Sequence, residues 1–303
     1  MLNRKQIVKQ FRVEPGEKFR LKDHDPGWDG DDDVPKAERK KIAQEVLTQD
    51  VSALAEAQEL LYASDTWSLL VIFQAIDAAG KDGTIKHVMS GVNPQGVQVY
   101  SFKHPSAEEL DHDFLWRCNK ALPERGRIGI FNRSYYEEVL IVKVHPEMVS
   151  AERIPGADPE DEKFWERRYA SINSFEKHLA RNGTAIVKFF LNVSQDEQRQ
   201  RFLDRINEPA KHWKFNAADL AERAYWDDYM RAYEECLTAT STKHAPWYVI
   251  PADHKWVTRA AVAIVLIETI RGLDLKWPKI TDQQKKQIDE AKRLLEAESH
   301  QRN

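Results

Sequence analysis

Apolar positions along this chain fall into short uninterrupted runs separated by longer amphipathic stretches. Trp67 to Phe73, WSLLVIF, has the length and continuity of a strand covered on both faces. Runs of the same kind recur at Val97–Phe102, Arg127–Asn132, Thr184–Val193 and Ala245–Ala252. Helical spacing fills the gaps. A helix is expected from about Thr84, a second over Glu108–Ala121 with Leu110, Phe114, Leu115 and Cys118 on one side, and a third over Glu160–Arg181. Ser194 followed by Gln195, Asp196 and Glu197 predicts a capped helix start, and KWVTRAAVAIVLIETIRGL a closing helix. Strands without polar alternation, separated by helices, predict one doubly wound α/β domain around a five-stranded parallel sheet.

The two ends read differently. Residues 1–50 contain the polar, turn-rich DHDPGWDGDDDVP and predict a surface arm; 51–275 form the α/β domain, and 276–303 a charged helical tail. No internal repeat is visible. A formal net charge of -4 argues against a general nucleic-acid binder, so any polyanion must meet a local basic cluster. The two cysteines, Cys118 and Cys236, form neither a disulfide framework nor a zinc pattern, and the histidines are scattered. The N-terminus lacks the apolar core of a secretion signal, and the apolar stretch Ala260–Ile267 is too short for a bilayer. A cytoplasmic protein without membrane attachment is expected.

The first apolar run leads into QAIDAAGKDGTIKHV, Gln74 to Val88. An anion loop needs small residues after a strand so that successive N–H groups turn toward the anion, a helix N-terminus aimed at it, and a lysine for the outer phosphates. Ala78, Ala79, Gly80, Lys81, Gly83 and Thr84 meet that description, with Ala75 in place of the usual opening glycine. Asp82 stands where a magnesium-binding hydroxyl is usual, so another group must hold metal, and Asp77 is the candidate. An ordinary strand-to-helix turn is the competing reading of the loop alone. The third strand ends at FNRSYYEEV, where open α/β sheets bind ligands; Asn132 is a weak oxygen donor there and Glu137 could supply charge, while Glu138 reads as the start of a solvated helix. Arg201 and Arg205, four apart on one helix face, with Lys211 and Lys214 beyond, supply a basic cluster, unless the interleaved acids make it a solvated face. Lys103, after the second strand, is a further anion candidate, and Asp253 reads as a cap for the closing helix.

Taken together, AIDAAGKDGTIKHV, GVQVYSFKHPS, FNRSYYEEVLIVKVHPE, RFLDRINEPAKHWKF and APWYVIPADHKW resemble the polyphosphate kinase type 2 family, from about residue 14 to about residue 272. The resemblance implies a P-loop kinase-like three-layer fold, related to thymidylate kinases, with a helical lid at about 150–215. It implies magnesium-dependent phosphoryl transfer, with manganese able to substitute, between inorganic polyphosphate and nucleotides, adenine first and guanine as a further option. It matches Asp77, Lys81 and Arg133 to the catalytic set and favours phosphate contact for Arg201 and Arg205; the residue readings add Asn132 and Glu137 beside Asp77 as the expected metal group and Lys103 and Lys214 as further phosphate contacts. Asparagine at 132, where many members have aspartate, resembles a subgroup accepting both AMP and ADP. Members often assemble as homo-oligomers. An ATP-dependent nucleoside monophosphate kinase would want Ser or Thr at position 82, and a non-catalytic polyanion-binding protein is the third reading.

Overall fold

The computed structural model describes residues 4–30 and 34–300, the side chains of Lys214 and of residues 298–300 excepted. In chain order its elements are α1 (Arg4–Phe11), α2 (Lys36–Ser64), β1 (Ser68–Gln74), α3 (Lys81–Val88), β2 (Val97–Ser101), α4 (Ala107–Leu110), α5 (Trp116–Asn119), β3 (Ile128–Asn132), α6 (Ile141–Val144), α7 (Glu162–Arg181), β4 (Thr184–Asn192), α8 (Gln195–Asn207), α9 (Ala217–Ala221), α10 (Trp226–Thr240), β5 (Trp247–Pro251), α11 (Lys255–Arg271) and α12 (Asp282–His300). All strand pairs are parallel in the order β2-β3-β1-β4-β5, with Phe73 opposite both Asn132 and Phe189. The expected five-stranded α/β fold is therefore the observed one.

Every residue of β1 is buried, as a central strand requires. Leu69, Val71 and Phe73 join Leu54 and Leu61 of α2, Ile85 of α3 and Val262, Val265 and Leu266 of α11 on one side of the sheet. Leu70 and Ile72 join Ile172 of α7 and Tyr233 and Leu237 of α10 on the other. Two hydrophobic layers thus clamp one sheet. No described helix is long and apolar enough to cross a membrane.

Several elements differ from the sequence reading. The stretch 108–121 is broken into α4 and α5: Ser106 and Glu109 close a capping box over α4, and Asp113 turns its carboxylate onto the Leu115 N–H, restarting the chain. Such local side-chain bonds compete with helix continuation. The closing helix begins at Lys255 with no side-chain cap, because Asp253 accepts instead from the Ser194 N–H at 2.8 Å and so ties β5 to the start of α8. Residues 1–50 are not wholly arm: α1 packs on α11, and α2 runs unbroken through residue 50. Within 150–215, α7 and β4 belong to the sheet layers; α8 and the turn after it, together with α9 beyond, lie on the loop side.

Candidate functional site

β1 and β3 end side by side, and the chain order reverses around β1, which opens a crevice at their carboxyl ends. The loop 75–80 fills the space between β1 and α3. Ala78 and Gly80 have φ +64° and +108°, left-handed conformations that cost a side chain about 1–2 kcal/mol and that glycine takes freely. α3 starts at Lys81, earlier than the expected Thr84, so its unpaired N–H groups sit directly at the loop.

Side chains inside the protein take all five loop carbonyls from 75 to 79. Lys81 Nζ donates to Ala75 O at 2.7 Å and Ile76 O at 3.4 Å. Gln198 Nε2 donates to Asp77 O at 2.8 Å, and Arg201 Nη1 to Ala78 O and Ala79 O at 3.1 and 2.6 Å. A trans peptide points its N–H opposite to its C=O, so holding the Ala79 carbonyl inward turns the Gly80 N–H outward, the arrangement an anion nest requires. Arg201 also donates through Nη2 to Ala252 O and Asp253 O and through Nε to Glu197. It is buried and all five of its N–H donors are engaged within the protein, so Arg201 shapes the loop in this structure.

Arg133 occupies the first position after β3 with φ +66°, its N–H bonded to Phe73 O. That turn aims its guanidinium at the loop, where Nη2 meets Asp77 Oδ1 at 2.5 Å and Nη1 meets Glu137 Oε2 at 2.9 Å. Burial opposes its charge, but Glu137 and Asp77 outweigh burial and hold its pKa above the usual arginine value. Burial likewise works to raise the Asp77 carboxyl, and Lys81 and Arg133 together bring it below the ordinary aspartate value. Lys81 is drawn down to about 8, first by burial and then by the Arg133 charge. The structure therefore brings Asp77, Lys81 and Arg133 together. Behind them, fully buried Lys188 donates to Glu176 at 2.6 Å, Tyr136 Oη at 2.8 Å and Thr240 O at 2.8 Å. Tyr135 and Tyr136 donate to the other Glu176 oxygen, anchoring the turn that carries Arg133.

The expected metal trio is not assembled as a cage. Glu137 accepts from Arg133 with one oxygen and from Gln74 with the other, and the Asn132 amide donates to Asp82 at 2.8 Å. Among the described residues no cluster of three or more His, Cys, Asp or Glu could hold an ion. Asp77 remains a hard oxygen donor beside the loop, which fits magnesium of the kind held by one or two carboxylates plus substrate phosphates. Glu138 is not a solvated helix start: it is buried against Arg168 and Arg117, and burial raises its pKa to about 7.

Two cavities meet at Arg133 and Glu137, which line both. The larger, ≈ 390 Å³, has Phe102, Lys103, Phe114, Ile141 and Met148 in its wall, which puts Lys103 on the same cavity as Arg133. The smaller, ≈ 50 Å³, lies between the loop and α9–α10, with Asp77 on one side and Asp219, Glu222 and Arg223 on the other. Arg205 reaches Asp219 at 3.8 Å and its charge acts on Asp77, so it faces the site. Burial and then the Asp77 charge raise the Asp219 carboxyl. Asp219, Glu222 and Arg223 carry no motif in the sequence and enter the site only through the fold. Lys214 lies among the side chains outside the described set. Thr84 is buried within α3, while Asp82 is exposed and Gly83 has open space where a Cβ would stand.

Comparison with known proteins adds an independent finding. The family model for polyphosphate kinase 2 (PPK2) matches residues 37–277. An ADP-polyphosphate phosphotransferase of Rhodopseudomonas palustris is 55% identical over 95% of this chain and 98% of its own length. An AMP/ADP-polyphosphate phosphotransferase of Meiothermus ruber is 45% identical over 89% and 96%. The crystal structure of polyphosphate kinase 2 from Arthrobacter aurescens TC1 superposes with a TM-score of 0.83 at 43% identity, covering 94% of this chain and 96% of that one.

Proposed function

The chain belongs to the polyphosphate kinase 2 family, and on that premise we propose that it transfers the terminal phosphoryl group of inorganic polyphosphate to ADP and AMP, reversibly. The observation that carries this reading is the meeting of Asp77, Lys81 and Arg133 at the crevice, with a cavity on each side of Arg133. Polyphosphate is the ligand of the outward loop amides and Lys81; the acceptor nucleotide occupies the larger cavity, its base against Phe102 and Phe114 and its phosphate toward Arg133 and Lys103. The relatives' activities favour this over an ATP-dependent monophosphate kinase or a non-catalytic binder.

A phosphate oxygen of the acceptor attacks the terminal phosphorus in line as the bond to the rest of the chain breaks. Nucleotide phosphate is already ionised at neutral pH, so no strong base is needed and catalysis consists of positioning and charge stabilisation. Arg133 is held by two carboxylates at the junction of the cavities, where charge spreads over the moving phosphoryl oxygens. Lys81 exchanges its two loop carbonyls for phosphate oxygens when substrate arrives. Asp77 is the residue that would hold magnesium, which when bound would supply positive charge between the two polyanions. Arg205, on the loop side of α8, adds a cation from the lid.

The test is product analysis of purified protein with magnesium, long-chain polyphosphate and separately AMP, ADP or GDP, without ATP. Appearance of ATP from ADP, and of ADP then ATP from AMP, is expected, with Lys81→Ala as the control for contaminating adenylate kinase. Transfer from ATP alone would replace this reading with the monophosphate kinase, and silence with both donors with a binding protein. Chelation of divalent ions is expected to stop turnover and manganese to restore it.

A further inference from the structure

Of the three side chains that hold the loop carbonyls, Gln198 is the one that also bonds the turn between α9 and α10. Its Nε2 donates to Asp77 O at 2.8 Å, while its Oε1 accepts from Arg223 Nη1 at 2.5 Å. Arg223 belongs to the turn joining α9 to α10, on the far side of the smaller cavity, and also donates to Gln195 O at 3.2 Å. Gln198 is 3% exposed, so neither half of its amide has water as a ready substitute. One face of α8 thus presents Arg201 to Ala78 and Ala79, and Gln198 to the residue whose carboxylate pairs with Arg133.

We propose that Gln198 is a positioning residue for phosphoryl transfer, linking the docking of the α9 segment through Arg223 to the orientation of the Asp77 peptide in the anion loop. The geometry requires an amide. A methionine of similar shape takes the donor from the Asp77 carbonyl and leaves Arg223 only the Gln195 carbonyl on α8; a glutamate keeps an acceptor for Arg223 but has no N–H for Asp77 O. Because the amide bonds both partners at once, a lid that swings away removes one support from the loop, and a disturbed loop loosens the lid. The coupling is reciprocal, as any linkage between two sites must be.

The kinetic arm rests on the phosphotransferase reading, whereas hydrogen exchange of the ligand-free protein does not require turnover, so failure of one is distinguishable from failure of the other. In exchange, Arg223→Gln is expected to raise rates at both 217–225 and 75–80, and Gln198→Glu at 75–80 while 217–225 keeps its protection. A rise confined to 217–225 in Arg223→Gln would overturn the proposal. In kinetics with ADP, Gln198→Met is expected to lower kcat roughly tenfold or more with KM within about threefold. The Gln198→Met/Arg223→Gln protein should fall no more than about threefold below the worse single variant, because partners in one unit are non-additive. Multiplied losses, or an unchanged kcat in Gln198→Met at an unchanged Tm, would equally overturn it.

Discussion

Replacing Lys188 by methionine tests whether the buried pair behind the site is held together by mutual need. The Lys188 ammonium is fully buried with three acceptors, and Glu176 is fully buried with three donors. Burial pushes the lysine pKa down and the Glu176 charge works against that, so the pair exists as an ion pair only because each partner is present. Methionine fills much of the same volume but leaves a carboxylate with two tyrosine hydroxyls and no cation. Removing one member of a buried pair costs about 3–5 kcal/mol, since the survivor is an uncompensated charge. At roughly 2–4 °C per kcal/mol for a chain of this class, Tm should fall by roughly 6–20 °C. Urea unfolding followed by circular dichroism reads the loss directly. Lys188→Met/Glu176→Gln should regain most of it, because the second change removes the stranded charge. A single variant that loses less than about 1 kcal/mol, or a double variant less stable than the single, would refute the reasoning.

Other expectations follow from the loop and its cation. Because the free protein holds Lys81 at about 8, below the ordinary lysine value, its charge is lost as pH rises through that point. The kcat/KM for polyphosphate should fall about tenfold per pH unit above it, and Lys81→Arg should abolish that limb; an unchanged limb would sink the assignment. The same shift makes folding release a proton, so the stability penalty of burying charged Lys81 is present below about 8 and relieved as pH rises toward the unfolded value, a difference visible in melts against Lys81→Met. Gly80→Ala places a side chain at φ +108° with its Cβ 3.4 Å from Arg201, and should raise the KM for polyphosphate about tenfold or lower Tm by a few degrees; no change in either would show the loop to be unstrained. Arg133→Lys keeps the charge but cannot hold Asp77 and Glu137 at once, so kcat should drop by at least about 100-fold, and a near-normal kcat would remove Arg133 from the transition state.

The strands were legible because buried parallel strands leave uninterrupted apolar runs, and each expected strand overlaps an observed one. α2 was hidden because its buried positions are Asp50, Leu54, Gln58 and Leu61, half of them polar, which erases the apolar stripe a helix normally shows. At the site, Asp77, Lys81 and Arg133 lie in two ordered motifs at strand ends, where sequence and geometry coincide. Arg201 and Arg205 look alike in sequence, four apart on one helix, yet one is sunk among loop carbonyls and the other faces the crevice. Only the depth at which α8 sits decides between them. The i, i+3 placement of Gln198 and Arg201 was a signal of a shared face, but what that face touches depends on residues more than a hundred positions away.

The covering of α11 also constrains the order in which the molecule can be completed during synthesis. Val262 through Ile267 are all buried, against a coat that includes α1 and α2, which are made before the sheet, while α11 follows β5. Until that late helix emerges, the apolar side of the sheet formed with α2 lacks its cover. The central strand β1 likewise waits for β3 on one edge and β4 on the other. Such long-range pairings make folding slow and leave sticky surface exposed meanwhile. The nascent chain therefore keeps apolar surface uncovered until α11 is made, and a mutation that weakens α11 is expected to lower yield before it lowers turnover.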